Sequence, residues 1–165
     1  MNDLLVLDTD AASVLAKGEL VNEILDLYSY GRIIITPKVE DELEKPLDYG
    51  YRFPNKILQE KEIDTVNISR DEKELYRKWF DQIMIGKGEL ESIAVAKRRY
   101  AVFFTMDKVA ANVAKEKGVE ITAFDTIMKS MLKDGIIDKK EAEKALVKIE
   151  DKDNRKIDRN KIFSR

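Results

Sequence analysis

Two aspartates stand where buried strands run out. Asp8 follows the apolar run Leu4-Leu5-Val6-Leu7, and Asp107 lies just past Val102-Phe103-Phe104-Thr105. A carboxylate at the carboxyl end of a parallel strand points into the crevice where open α/β sheets bind ligands. Two of them, from two strands, can converge on one cation. The chain has no His and no Cys, so the usual ligands of soft metals are missing. A hard, oxygen-preferring ion such as Mg²⁺ or Mn²⁺ remains. Each aspartate also suits a simpler role, as the cap of the helix that follows it.

Further carboxylates belong to helix starts. In Thr36-Pro37-Lys38-Val39-Glu40-Asp41-Glu42-Leu43, Val39 and Leu43 are four apart and face the core. Glu42 flanks that stripe, with plain surface charge as its alternative, while Glu40 points elsewhere. In Gly86-Lys87-Gly88-Glu89-Leu90-Glu91, the two glutamates are about 200° apart on an ideal helix and cannot both face one point. Glu91 shares a face with Ala94 and Val95 and is the expected inward residue. Glu89 stays as an alternative or supporting metal ligand. Four carboxylates at close quarters raise one another's pKa and destabilise the fold unless a cation neutralises them. The matching chemistry is phosphodiester hydrolysis, in which one or two Mg²⁺ ions activate a bound water and stabilise the leaving oxygen.

Composition removes competing chemistries. Without His or Cys there is no Ser-His-Asp triad, thiol nucleophile or zinc finger. The net charge of -2, from 30 basic against 32 acidic residues, gives no global pull toward nucleic acid or membrane. Local patches remain open. MNDLLVLDTD has no basic leader, and no stretch nears the roughly 20 apolar residues of a membrane span. A cytoplasmic protein without a membrane partner is expected. A length of 165 residues favours one domain that buries its own core.

The elements that must position the acids alternate. Residues 3–7 read as a strand, followed by a helix through Ala11–Ala16 and another over 19–30. Ile33-Ile34-Ile35 is a strand, and Thr36-Pro37 starts a helix that should end before Pro46. Residues 46–62 read as a loop with a short helix near 55–61. A half-exposed strand fits 63–68, and Ser69 caps a helix from 70 to about 84. A helix from about Glu89 to Arg99, a strand over 101–105 and a helix near 108–117 follow. A strand over 119–124 and helices at 125–133 and 138–149 complete the body. This alternation predicts a three-layer α/β/α sandwich with a central, mostly parallel sheet. Residues 1–149 form the domain. Residues 150–165 form a charged tail that reads as a frayed end or as a basic arm touching nucleic acid or a partner.

LLVLDTDAASVLA, ITPKVEDEL, GKGELESIAVAK and FFTMDKVAANVAKEKG resemble, in order and spacing, the four motifs of PIN domains. FDTIMKSMLKDGIIDKKEAEKALVKI resembles the tail of a prokaryotic subgroup that includes VapC-like toxins. The resemblance implies a Mg²⁺- or Mn²⁺-dependent ribonuclease acting on RNA, with Asp8, Glu42, Glu91 and Asp107 as its catalytic acids. It also implies an antitoxin protein as partner and a homodimer. By the same resemblance Thr9 hydrogen-bonds a ligand or water, and Thr105 braces Asp107. The chain departs from the pattern in three places. Its third acid is Glu rather than Asp, Met106 stands where a second Asp is common, and no Arg occurs at Ala111 or Asn112.

Two other readings follow from the residues. The Met106 departure motivates a non-catalytic PIN-like module that binds RNA or protein. Asp8-Thr9-Asp10 mimics the Asp-x-Asp of haloacid-dehalogenase-like phosphotransferases, with Asp8 as nucleophile. Ala11-Ala12-Ser13 then replaces the Gly-containing continuation expected there.

Overall fold

The computed structural model describes residues 3–164. Strand β1 (Leu4–Leu7) delivers the chain to Asp8, which caps helix α1 (Thr9–Lys17) by accepting the Ala11 N–H at 2.8 Å. Glu19, in the left-handed region at φ 57°, separates α1 from α2 (Val21–Leu27), which is shorter than the expected 19–30. Strand β2 (Arg32–Ile35) runs into Thr36, whose hydroxyl caps α3 (Pro37–Asp48) by accepting from Val39 N at 3.4 Å. Helix α3 passes through Pro46 instead of stopping before it. Proline in the last turn forfeits only one bond, the one to the Glu42 carbonyl, so the helix survives it.

The insertion folds into one short helix, α4 (Asn55–Leu58), before strand β3 (Ile63–Thr65). Helix α5 (Arg70–Phe80) starts with a reciprocal cap between Ser69 and Glu72. Helix α6 (Lys87–Arg99) begins two residues earlier than expected. Strand β4 (Val102–Phe104) leads to Asp107, which caps α7 (Lys108–Glu116). Strand β5 (Ile121–Thr122), α8 (Phe124–Lys133), α9 (Lys139–Asp153) and α10 (Asn160–Phe163) follow.

The strands form one parallel sheet in the order β3-β2-β1-β4-β5. Leu5 pairs with Ile33 on one side and Val102 on the other, and Leu7 pairs with Phe104. Alternate side chains serve opposite layers. Leu5, Leu7, Ile33, Ile35 and Phe104 are buried against α1, α8 and α9. Val6, Ile34 and Phe103 are buried with Trp79, Leu90, Ile93 and Ala110 of α5, α6 and α7. Both faces are thus covered, as an all-parallel sheet requires. From β1 the chain builds outward to β2 and β3, then returns to lay β4 on the other flank of β1. The carboxyl ends of β1 and β4 therefore bound the switch point of the sheet, where such folds bind ligands.

A buried ion pair joins the second layer. Glu72, 2% exposed, accepts from Arg99 Nε at 2.7 Å and from Nη2 at 3.0 Å. Burial alone would raise the Glu72 carboxyl, but the Arg99 hydrogen bonds and charge and the Ser69 N–H bring it below the usual carboxylate range.

The chain beyond α9 differs from a frayed end. Asn154 takes a left-handed conformation at φ 51° and turns the chain back. Arg159 then binds Glu150 at 2.7 and 2.9 Å and Glu143 at 2.9 and 3.0 Å, while Ile157 N–H donates to Glu150 at 2.7 Å. These contacts, Arg159 foremost, hold the Glu150 carboxyl down at about 2. Ile162, 2% exposed, joins the core. Among the described residues no helix is long and apolar enough to cross a membrane.

Candidate active site

Asp8 is 1% exposed at the end of β1, where its own N–H donates to the Phe104 carbonyl of β4 at 3.2 Å. Its carboxylate has two fixed partners. Oδ1 accepts from Ala11 N, and Oδ2 accepts from the Thr105 hydroxyl. Thr105 Oγ1 in turn accepts from Asp107 N at 3.0 Å. One buried hydroxyl therefore couples the ends of two adjacent strands and sets Asp8 and Asp107 relative to each other. Asp107 itself is exposed, and its Oδ1 accepts from Val109 N at 2.7 Å and Ala110 N at 3.2 Å.

Glu42 reaches the same edge from the first half of α3. Its Oε2 accepts from the Thr9 hydroxyl, and its Oε1 accepts from Gly88 N at 3.2 Å. The close approach requires glycine. A Cβ on Gly88 would stand 2.8 Å from Glu42 Oε2 and 2.9 Å from Oε1. Thr9 thus holds a carboxylate, the part the resemblance gave to a ligand or water.

The third acid is where structure and sequence reading part. Glu91 was expected to face inward toward the other acids. It is buried, but its Oε1 accepts from Lys38 N at 2.9 Å at the start of α3, and its Oε2 lies 3.8 Å from the Lys38 ammonium. Its charge also helps burial raise the Tyr76 hydroxyl. Glu91 therefore braces α3 against α6 and pairs loosely with Lys38. Glu89 occupies the acidic side instead. Burial raises its carboxyl, and the charges of Asp107, Asp10 and Glu42 raise it further. One oxygen accepts from Gly86 N at 3.2 Å, whereas Oε2 is buried with no hydrogen-bond partner. The cause is helix phase. With α6 starting at Lys87, Glu89 is fully helical, and the roughly 200° between the two residues turns Glu91 away.

Asp8 feels this crowd. Burial, with the charges of Glu89 and Asp10 adding, pushes its carboxyl up to about 7 from an ordinary 3.8, against the pull of Thr105 and Ala11. Asp10, in the first turn of α1, is an acidic neighbour that the sequence reading used only in the Asp-x-Asp alternative and not among the metal-binding acids. Its two-residue spacing from Asp8 was the available signal.

The donors fit a hard divalent cation. All are carboxylate oxygens, burial and neighbouring carboxylates raise Asp8 and Glu89, and one buried oxygen of Glu89 has no partner. Among the described residues no three carboxylates already stand in a metal-ligating arrangement. Asp8, Glu42 and Asp107 are instead engaged by neighbouring hydroxyls and amides.

Two comparisons with known proteins bear on the family and the fold. The family model described as PIN domain matches residues 4–161. The fold is also similar to a chain in the crystal structure of VapBC2 from Rickettsia felis bound to a DNA fragment from their promoter. That likeness has a TM-score of 0.52 at 16% identity and covers 73% of this chain and 98% of the other. No curated protein matches this chain. The chain belongs to the PIN domain family, whose members are typically nucleases.

Proposed function

We propose that this protein is a divalent-metal-dependent endoribonuclease and the toxin of a toxin–antitoxin pair. The observation that carries the reading is the electrostatic convergence of Asp8, Glu42, Glu89 and Asp107 at the carboxyl ends of β1 and β4, with Glu89 Oε2 buried and unpartnered. Asp8, Glu42, Glu89 and Asp107 would hold Mg²⁺ or Mn²⁺, and Glu91 supports α3 from behind. The bound cation would supply a water of lowered pKa and stabilise the charge of the leaving oxygen.

The residues of the chain do the positioning. Thr105 orients Asp8, Thr9 orients Glu42, and Gly88 leaves room for the Glu42 carboxylate. Burial of Asp8 and its two hydrogen bonds keep its oxygens at a fixed place. Membership of the PIN family speaks against the phosphotransferase reading of Asp8-Thr9-Asp10. The VapBC2 likeness supports an antitoxin partner. A partner segment that presents an Arg to these carboxylates would match them in charge and geometry. Self-association belongs to the same reading.

The test is cleavage of single-stranded RNA by purified protein with Mn²⁺ or Mg²⁺. Activity should require the ion and vanish in Asp8→Asn and Asp107→Asn variants that remain folded. Cleavage that persists in chelator and in both variants refutes the assignment. Metal-free RNA binding with no cleavage would make the protein a non-catalytic PIN module.

A further inference from the structure

The returned C-terminal segment does more than cover the core. Held by Asn154, Arg159 and Ile162, it forms one wall of a groove of about 380 Å³ whose other wall includes Thr105, Asp107 and Lys108. That volume lies within the roughly 300–1,000 Å³ typical of small-ligand clefts. The groove therefore opens directly beside the acidic edge.

Its lining combines basic and apolar side chains. Lys108 stands on one wall and Lys156 and Lys161 on the other, and all three are exposed. None of their ammonium groups makes a hydrogen bond or salt bridge among the described residues. The remaining base there, Arg155, is spent on Asp153 at 2.6 and 3.1 Å. Asp158, also at the groove, accepts from Asn160 N at 2.9 Å, and Asp125 sits in the first turn of α8. The apolar part of the lining includes Phe124 and Ile157.

An acidic centre repels a polyanion unless basic groups hold the flanking phosphates. Ammonium groups without a hydrogen-bond or salt-bridge partner, beside apolar lining side chains that suit a sugar or base face, meet that need. We propose that this groove carries the phosphodiester backbone of single-stranded RNA on one side of the scissile bond, with Lys108, Lys156 and Lys161 as its phosphate contacts. The proposal rests on the nuclease reading and adds the course of the substrate. The tail thereby becomes part of the substrate surface.

The test uses the full chain carrying Asp8→Asn, which keeps the RNA intact, and a labelled single-stranded RNA of 12 nucleotides as probe. Affinity is measured across a salt series with and without Lys108→Gln, Lys156→Gln and Lys161→Gln together. Lys45→Gln with Lys73→Gln, both on exposed helix faces away from the groove, serves as control. The groove variant should bind at least about tenfold more weakly, and its log–log salt slope should be shallower by about 2 units, as three lost phosphate contacts require. The control should match the parent. If the triple substitution lowers the melting temperature, the pair Lys156→Gln and Lys161→Gln is used, with a loss of about 1.4 slope units expected.

Unchanged affinity and slope overturn the groove, and cleavage by the wild-type protein then leaves the nuclease reading standing. A wild-type protein that neither binds nor cleaves RNA overturns both. Unchanged RNA affinity with lost binding of poly-glutamate would assign the groove to an acidic protein segment and overturn the RNA path.

Discussion

Gly88 and Glu42 are in contact across 46 residues of sequence, with Gly88 N donating to Glu42 Oε1 at 3.2 Å and no space for a Cβ between them. The helix that carries Glu89 and the helix that carries Glu42 are thereby set against each other at the acidic edge. The glycine is a spacing element rather than a source of flexibility.

Gly88→Ala separates function from fold. Alanine is favoured over glycine in a helix by roughly 0.5–1 kcal/mol, which offsets part of the crowding. The melting temperature should move little. Displacing the Glu42 carboxylate should lower Mn²⁺ affinity about 10- to 100-fold, the range for lost support of a metal ligand. Calorimetric titration with Mn²⁺ beside a thermal melt reads both.

Glu89→Gln and Glu91→Gln should diverge. Glutamine at 91 still accepts the Lys38 N–H and loses only a pair at 3.8 Å to a partly exposed ammonium. Metal binding should survive there with at most about a twofold change. Glutamine at 89 removes the unpartnered oxygen and the charge on Asp8, so affinity should fall by about tenfold or more. Mn²⁺ titration of both variants decides, and the reverse ranking would return the third acid to Glu91.

Asp8 gives stability an inverted pH dependence. Its folded-state pKa, about 7, lies above the ordinary 3.8, so the folded chain holds the extra proton between those values. The contribution is fully present below about pH 4 and is lost as pH rises through about 7. In chelator, the wild-type protein should lose on the order of 4 kcal/mol of stability across that window from this group. Asp8→Asn keeps an oxygen for the Ala11 cap and should be the more stable protein at pH 8 but not at pH 4. Urea unfolding at both pH values checks this. Added Mn²⁺ should stabilise the wild type more at pH 8 than at pH 5, because ligation needs the carboxylate.

The Glu72–Arg99 pair should break asymmetrically. Arg99→Met strands a carboxylate that is 2% exposed, and the cost should be about 3 kcal/mol. Glu72→Gln leaves Arg99, which is partly open to water and still donates to the Asn67 carbonyl at 2.8 Å. Its cost should be about 1 kcal/mol, the size of one ordinary hydrogen bond. Denaturant unfolding of the two variants gives the comparison.

The strand ends were legible in the sequence because their apolar runs are almost wholly buried and an acid follows each within three residues. Asp8, Asp107, the alternation of layers and the parallel sheet followed from that. The choice between Glu89 and Glu91 did not, because their separation is fixed by helix geometry but the phase is fixed by where α6 starts. At that start Gly88 packs against Glu42, a contact far away in sequence. The tail was illegible for a similar reason. Arg159 finds Glu143 and Glu150 only after the turn at Asn154, and such pairing leaves no periodic trace in the chain. Pro46 misled because a proline one turn from a helix end costs a single bond.

The placement of β4 against β1 also orders events during synthesis. Asp8 emerges among the first residues, yet its partner hydroxyl on Thr105 comes 97 residues later. The arginine clamp that seats the tail comes later still. A growing polypeptide therefore has no assembled acidic centre until most of it has been synthesised, because the strand order places the two halves of that centre far apart in the chain.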